Sequence, residues 1–174
     1  MFDFLNIKTL TAVVYNPTWD IIVLFFFLAT GFFYGVLAGK KKLLSVLFSL
    51  YISLLLFENL PYLEKLTRDK SALESFWIQL SAFLIVITIL AILFNKTVFR
   101  GNLKSKRWWQ IFILSILEVG LFVSSIFRLL PAQEMFTFSP ITEMLFSSEK
   151  SFFWWIILPL ITFFFILRKK DTAK

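Results

Sequence analysis

The chain is 174 residues long, 59% hydrophobic and 20% aromatic, with 24 phenylalanines, and its mean hydropathy is +0.81. A soluble domain of this size cannot bury that much apolar surface, so residues 1–174 read as one integral membrane domain. Cysteine and histidine are both absent, which excludes disulfides, thiolate chemistry, nitrogen- and sulfur-ligated metal centres and Ser-His-Asp triads.

The net charge of +7 is informative loop by loop, because basic residues gather on the cytoplasmic side of membrane proteins. Residues 1–19 carry Asp3 early and only Lys8 as a base, so the cationic start and small-residue cleavage site of a signal peptide are missing and the segment is expected to be retained. Phe4, Leu5, Leu10 and Val14 suit one side of a short interfacial helix. Asn16-Pro17 then turns the chain, with Asp20 expected as N-cap of a helix starting at Ile21.

The first predicted span covers 21–39, near the length a bilayer requires. Its second half carries Gly31, Gly35 and Gly39, which stack on one helix face at a spacing of four and let another backbone approach closely. That ridge suits packing inside the bundle, homodimerisation or contact with a partner membrane protein. Lys40, Lys41 and Lys42 follow at once. They are expected to form a tight hairpin into a second span at 43–58 and to hold that turn at the lipid headgroups.

Pro61 to Glu74 reads as a polar connector, with Leu60, Leu63 and Leu66 spaced for a surface helix and Ser71-Ala-Leu-Glu74 as a capping box. The third span covers 76–94. After it, Lys96, Arg100, Lys104, Lys106 and Arg107 occur without an acid and beside Phe99, Trp108 and Trp109. This suits a topology-setting loop against anionic lipid better than a nucleic-acid contact. The fourth span covers 109–130 and contains Glu118 and Gly120. An acidic connector follows, in which Ser139-Pro140 reads as the cap and first position of a short helix.

The last apolar run, 152–168, contains Pro159. Counting it as a span gives five, with the N-terminus outside and the C-terminus cytoplasmic. The inner segments then hold 12 of the 18 basic residues. A four-span alternative leaves Arg168, Lys169 and Lys170 outside, against the charge tendency. The expected class is therefore an all-α polytopic bundle.

Glu118 is the one residue that packing does not account for, since an ionisable side chain at mid-span is costly unless protonated, paired or in a watery cavity. It suits either a protonated acid bonded to the hydroxyls of Thr30, Ser49, Tyr51 or Thr88, or a proton or ion pathway. No metal ligand set, phosphate loop or paired carboxylates accompany it, so no enzyme, cofactor or metal is expected.

Asp20, the apolar run through Gly31, Gly35 and Gly39 into basic residues, the span with Gly120, then Pro131 and Ser139-Pro140 together resemble the colicin V production protein (CvpA) family over about residues 20–145. The resemblance implies a small bacterial inner-membrane protein, non-catalytic, accessory to toxin secretion or envelope assembly and working with a membrane partner or a second copy. Family members often carry an arginine where this chain has Glu118 and Val119, and they rarely end with an extra helix such as 152–167. A small transporter or proton-coupled channel subunit using Glu118 is the competing expectation.

Overall fold

The computed structural model describes residues 18–97, 108–129 and 136–168. Its elements are α1 (Trp19–Ala38), α2 (Lys40–Glu58), α3 (Leu63–Thr67), α4 (Ala72–Thr97), α5 (Trp108–Leu129), α6 (Pro140–Thr142), a π-helical turn (Glu143–Ser147) and α7 (Glu149–Arg168). Among the described residues there is no strand.

Three helices are long and apolar enough to cross a bilayer: α1, α4 and α5, with mean hydropathies of 2.4, 2.5 and 2.0. A fourth crossing is counted when Pro140–Ser147 and Glu149–Phe165, bent by 61°, are taken as one broken span. The protein therefore has the make-up of a helical membrane protein. α2 is as long as its neighbours, at 19 residues, but three lysines at one end and Glu58 at the other keep it out of that count.

α1 and α2 are joined by a single residue. Gly39 adopts φ +80° and ψ 161°, a region closed to side chains, and its N–H donates to Gly35 O at 2.9 Å. The ridge therefore divides: Gly31 and Gly35 lie against α5, while a Cβ at Gly39 would meet nothing within 4 Å. Gly39 is a turn residue rather than a packing residue. Gly39→Ala should cost about 1–3 kcal/mol through backbone strain alone, measurable as a lower midpoint of thermal unfolding in detergent.

The lysine run differs from the expected loop, because one glycine suffices for the reversal and Lys40–Lys42 become the first turn of α2. Lys40 is buried, and its Nζ donates to Gln110 Oε1 on α5 at 3.2 Å. It ties two helices together instead of facing headgroups. Arg100, Lys104, Lys106 and Arg107 lie outside the described residues.

α2 is the centre of the bundle. Leu43, Leu47, Leu50, Leu54 and Phe57 are buried at alternating spacings of four and three, the seam that one helix presents to another. They pack with Phe76, Phe83 and Ile87 of α4 and with Leu114 and Leu121 of α5. Phe57 meets Phe83 edge-on at 5.3 Å, the arrangement aromatic quadrupoles favour. α1 lies outermost, with 6% of its most apolar window buried against 56% for α5. Its exposed Phe25, Phe26, Phe33 and Leu37 suit acyl chains.

The connector from α2 to α4 holds the short helix α3, whose Leu63 joins the core while Leu66 is exposed. The capping box closes as the sequence predicts: Ser71 N–H donates to Glu74 Oε2 at 3.2 Å and Glu74 N–H to Ser71 Oγ at 3.3 Å. Ser139 likewise caps α6, its Oγ accepting from Thr142 N–H at 3.3 Å, with Pro140 at the first helical position. Asp20 departs from expectation. The helix begins earlier, at Trp19, with Thr18 as N-cap, and the Asp20 carboxylate instead reaches Ser139, accepting from its N–H at 2.9 Å and its Oγ–H at 2.7 Å.

Candidate functional site

α5 carries the site because its buried stripe is not purely apolar. Helical spacing places Leu114, Leu117 and Leu121 inside, and the same stripe brings in Ser115, Glu118, Ser124 and Ser125. On one side of Glu118 the missing side chains of α1 bring the backbones together. A Cβ at Gly31 would lie 2.8 Å from Val119 Cγ2, and one at Gly35 would lie 2.8 Å from Ser115 Oγ, Ile111 Cγ2 and Leu43 Cδ1. The close approach of α1 positions Tyr34 beside the acid.

Two cavities meet at Glu118. The larger, about 480 Å³, is lined by Tyr34 of α1, Lys42 and Ser45 of α2, Thr88 and Asn95 of α4, and Glu118. The smaller, about 170 Å³, is lined by Gly31, Tyr34, Ser115, Glu118 and Phe122 among others. Tyr34, at 45% exposure, and Ile92, at 51%, mark the larger cavity's outer edge. Lys42 and Asn95 stand near the helix ends that flank the turn at Gly39, whereas Glu118 lies about 15 Å along α5 from Trp108 at a rise of about 1.5 Å per residue. The cavity thus descends from a bundle end to a carboxyl near mid-depth.

Glu118 itself is 8% exposed, and its Oε2 is buried without a hydrogen-bond partner. Among the described residues the only salt bridge, Arg128 Nε to Glu58 Oε1 at 3.6 Å, is on the outside of the bundle. The hydroxyl set read from the sequence does not assemble around it. Ser49 donates to Ser45 O at 2.6 Å and Tyr51 to Ile156 O at 2.5 Å, while Thr30 is exposed. Thr88 does line the cavity, but its Oγ1 donates to Leu84 O at 2.8 Å. Helical Ser and Thr commonly bond back to the preceding turn, and this removes them as partners.

The polar residues that share its cavities are Tyr34, Ser45, Lys42, Asn95 and Ser115, although Ser45 too bonds back, its Oγ donating to Lys41 O at 3.1 Å. Of these, Ser115 carried a readable signal, sitting one turn before Glu118 on the same helix, and its Oγ is also buried without a partner. Gly120, next to Glu118 in register, serves a different contact: its open face receives the Trp155 ring of α7. Among the described residues no group of three His, Cys, Asp or Glu side chains could hold a metal ion.

An orphaned acid oxygen in a packed bundle lowers stability, since burying a polar group without a hydrogen bond costs roughly 1–3 kcal/mol. Glu118→Leu, of similar volume and apolar, should therefore raise the unfolding midpoint in detergent. A lower midpoint would mean that the carboxyl is a structural element of the core. Comparison with family models, with curated proteins and with solved structures gives no match.

Proposed function

We propose that this protein is a small, non-catalytic transporter or proton-coupled channel subunit of a bacterial inner membrane, with Glu118 as its working group. The observation that carries this reading is the partnerless Oε2 of Glu118 at the foot of a cavity that opens beside Lys42 and Asn95. A carboxyl held at mid-depth without a fixed cation is suited to exchange a proton or a small cation with whatever enters the cavity. In the five-span arrangement, with the N-terminus outside, the Lys42 mouth faces the cytoplasm, where the three lysines satisfy the positive-inside tendency. Gly31 and Gly35 are engaged with α5 inside the bundle, so a partner protein would meet other surfaces.

A lipid-soluble carbodiimide, which attacks protonated carboxyls in apolar surroundings, should modify Glu118 in the wild-type protein and leave Glu118→Gln unmodified there. In proteoliposomes with an imposed proton gradient, Glu118→Gln should lose flux while keeping its melting temperature. Unaltered flux in a folded Glu118→Gln protein would remove the reading. It would favour instead an accessory role in envelope or toxin-secretion assembly, the role that the chain's resemblance to the colicin V production protein family implies.

A further inference from the structure

The packing of the helices leaves a groove along one side of the bundle. α1 packs on α5 and α2, and α4 packs chiefly on α2, so α1 and α4 stand apart as walls with α2 and α5 as the floor between them. The 480 Å³ cavity fills the end of this groove near the turn at Gly39. Its lining is graded. Lys42 and Asn95 line the mouth, and Val46, Ile87, Ala91 and Ile92 line the apolar stretch below them, which reaches about 12 Å along α4 from Asn95 to Ile87 at a rise of about 1.5 Å per residue. The groove is open sideways as well as at the end. Tyr34 and Ile92 are each about half exposed, and both belong to helices apolar enough to cross a bilayer, so acyl chains lie against that opening.

The charge at this end has one sign. No Asp or Glu occurs in 21–57 or in 75–117, whereas Lys40, Lys41, Lys42 and Lys96 all do. Lys42 is exposed, and among the described residues the one salt bridge, between Arg128 and Glu58, lies at the opposite end of the bundle. The acid in the cavity, Glu118, is 8% exposed and does not neutralise Lys42 by an ion pair.

A ligand that uses the whole of this lining carries a negative charge at one end and a hydrocarbon chain at the other. A soluble anion would meet one lysine and one amide at a wet mouth, where an ion pair contributes little, and would leave the apolar stretch unused. A zwitterionic lipid lays its chain in the groove but brings no net charge to Lys42. Basic residues at a gap between membrane helices on the lipid–water boundary favour anionic headgroups.

We infer that the groove between α1 and α4 holds an anionic phospholipid, its headgroup on Lys42 and Asn95 and one acyl chain along Val46, Ile87, Ala91 and Ile92. The site uses the mouth and outer wall of the cavity and does not rest on flux through Glu118. The test is native mass spectrometry of the full chain released from maltoside micelles, with phosphatidylglycerol, phosphatidylcholine of the same chains, or inorganic phosphate added. The wild-type protein should retain one phosphatidylglycerol at about five times the occupancy of phosphatidylcholine, the factor that one basic residue near an anionic surface supplies, and no inorganic phosphate. Lys42→Gln should erase the preference. Lys41→Gln, the same loss of charge at a position outside the cavity lining, should keep it. Ile92→Trp should lower both lipids by filling the groove, and Glu118→Gln should change neither, which separates this site from the proposed transport role. Equal retention of the two lipids by the wild-type protein would overturn the inference whether or not the variants fold. An undiminished preference in folded Lys42→Gln, or an equal loss in Lys41→Gln, would overturn it too, the latter by showing a diffuse attraction of the whole cationic end. Retention of inorganic phosphate as readily as phosphatidylglycerol would overturn the assignment to a lipid.

Discussion

Replacing Gly120 with alanine is expected to loosen α7 from α5 and to cost about 2–4 kcal/mol, a loss out of proportion to one methyl group. The three atoms nearest to a Cβ at that position all belong to the Trp155 ring, closer than van der Waals contact allows. Nor can the ring step aside freely. Its Nε1 donates to Leu145 O at 2.9 Å, and its face stacks on Phe146 at 5.4 Å. Overpacking of a filled site costs about 1–3 kcal/mol, and a hydrogen bond lost in the adjustment about 1 more. The effect should change sign when the ring is gone. In a Trp155→Ala background Gly120→Ala should be neutral or stabilising, since alanine exceeds glycine in helix propensity by about 1 kcal/mol. A double-mutant cycle on unfolding midpoints in detergent should thus give a coupling of at least ~2 kcal/mol. Additive effects would mean that the two residues do not meet.

The Trp155 contact also shows why 136–168 was harder to read than the helices before it. Apolar length and capping chemistry are local, so the helices up to residue 129 and the caps at Ser71 and Ser139 are written in neighbouring residues. The π-helical turn at Glu143–Ser147 is not local. Its carbonyls find distant donors: Ser124 Oγ for Phe146 O at 3.3 Å, Trp155 Nε1 for Leu145 O, and Ser151 Oγ for Met144 O at 2.8 Å. No periodicity in 131–150 announces partners at positions 124 and 155, so the segment reads as a connector, whereas residues 140–147 fold into one arm of a bent pair. The same limit applies to α2. Lys40 looks like a boundary charge until Gln110, 70 residues away, is brought opposite it.

Glu118 was legible as an anomaly because an acid amid apolar residues stands out whatever surrounds it. Its surroundings were not. Depth along a helix can be counted from sequence, but the side of the helix facing a cavity depends on how the helices are rotated against one another. That rotation is set here by Gly31 and Gly35 settling on Ile111, Ser115 and Val119. Counting hydroxyls at similar depth therefore selected Ser49 and Tyr51, which bond to backbone carbonyls elsewhere, and missed Tyr34, which lines both cavities at Glu118.

Asp20→Ala is the second substitution with a large expected effect, because it removes the link between the first described helix and the segment that opens the bent pair. Two opposing terms decide the size. Releasing a buried carboxylate, one of whose oxygens lacks a regular partner, relieves desolvation. Against this, the Ser139 N–H and Oγ–H both lose a charged acceptor, at about 1.5–3 kcal/mol each, and are left buried. The second term is larger because two donors are orphaned and a single unpartnered oxygen is relieved. A net cost of about 2–3 kcal/mol follows. Asp20→Asn should fall within about 1 kcal/mol of wild type, since its amide oxygen still accepts from Ser139 and no charge is buried. The damage from Asp20→Ala should also be local. Hydrogen exchange should rise at residues 136–147 and at the first turn of α1, and stay low in α2. Uniform loss of protection would instead make Asp20 part of the global core, and the tether would then be too weak an account of why this acid is buried among rings.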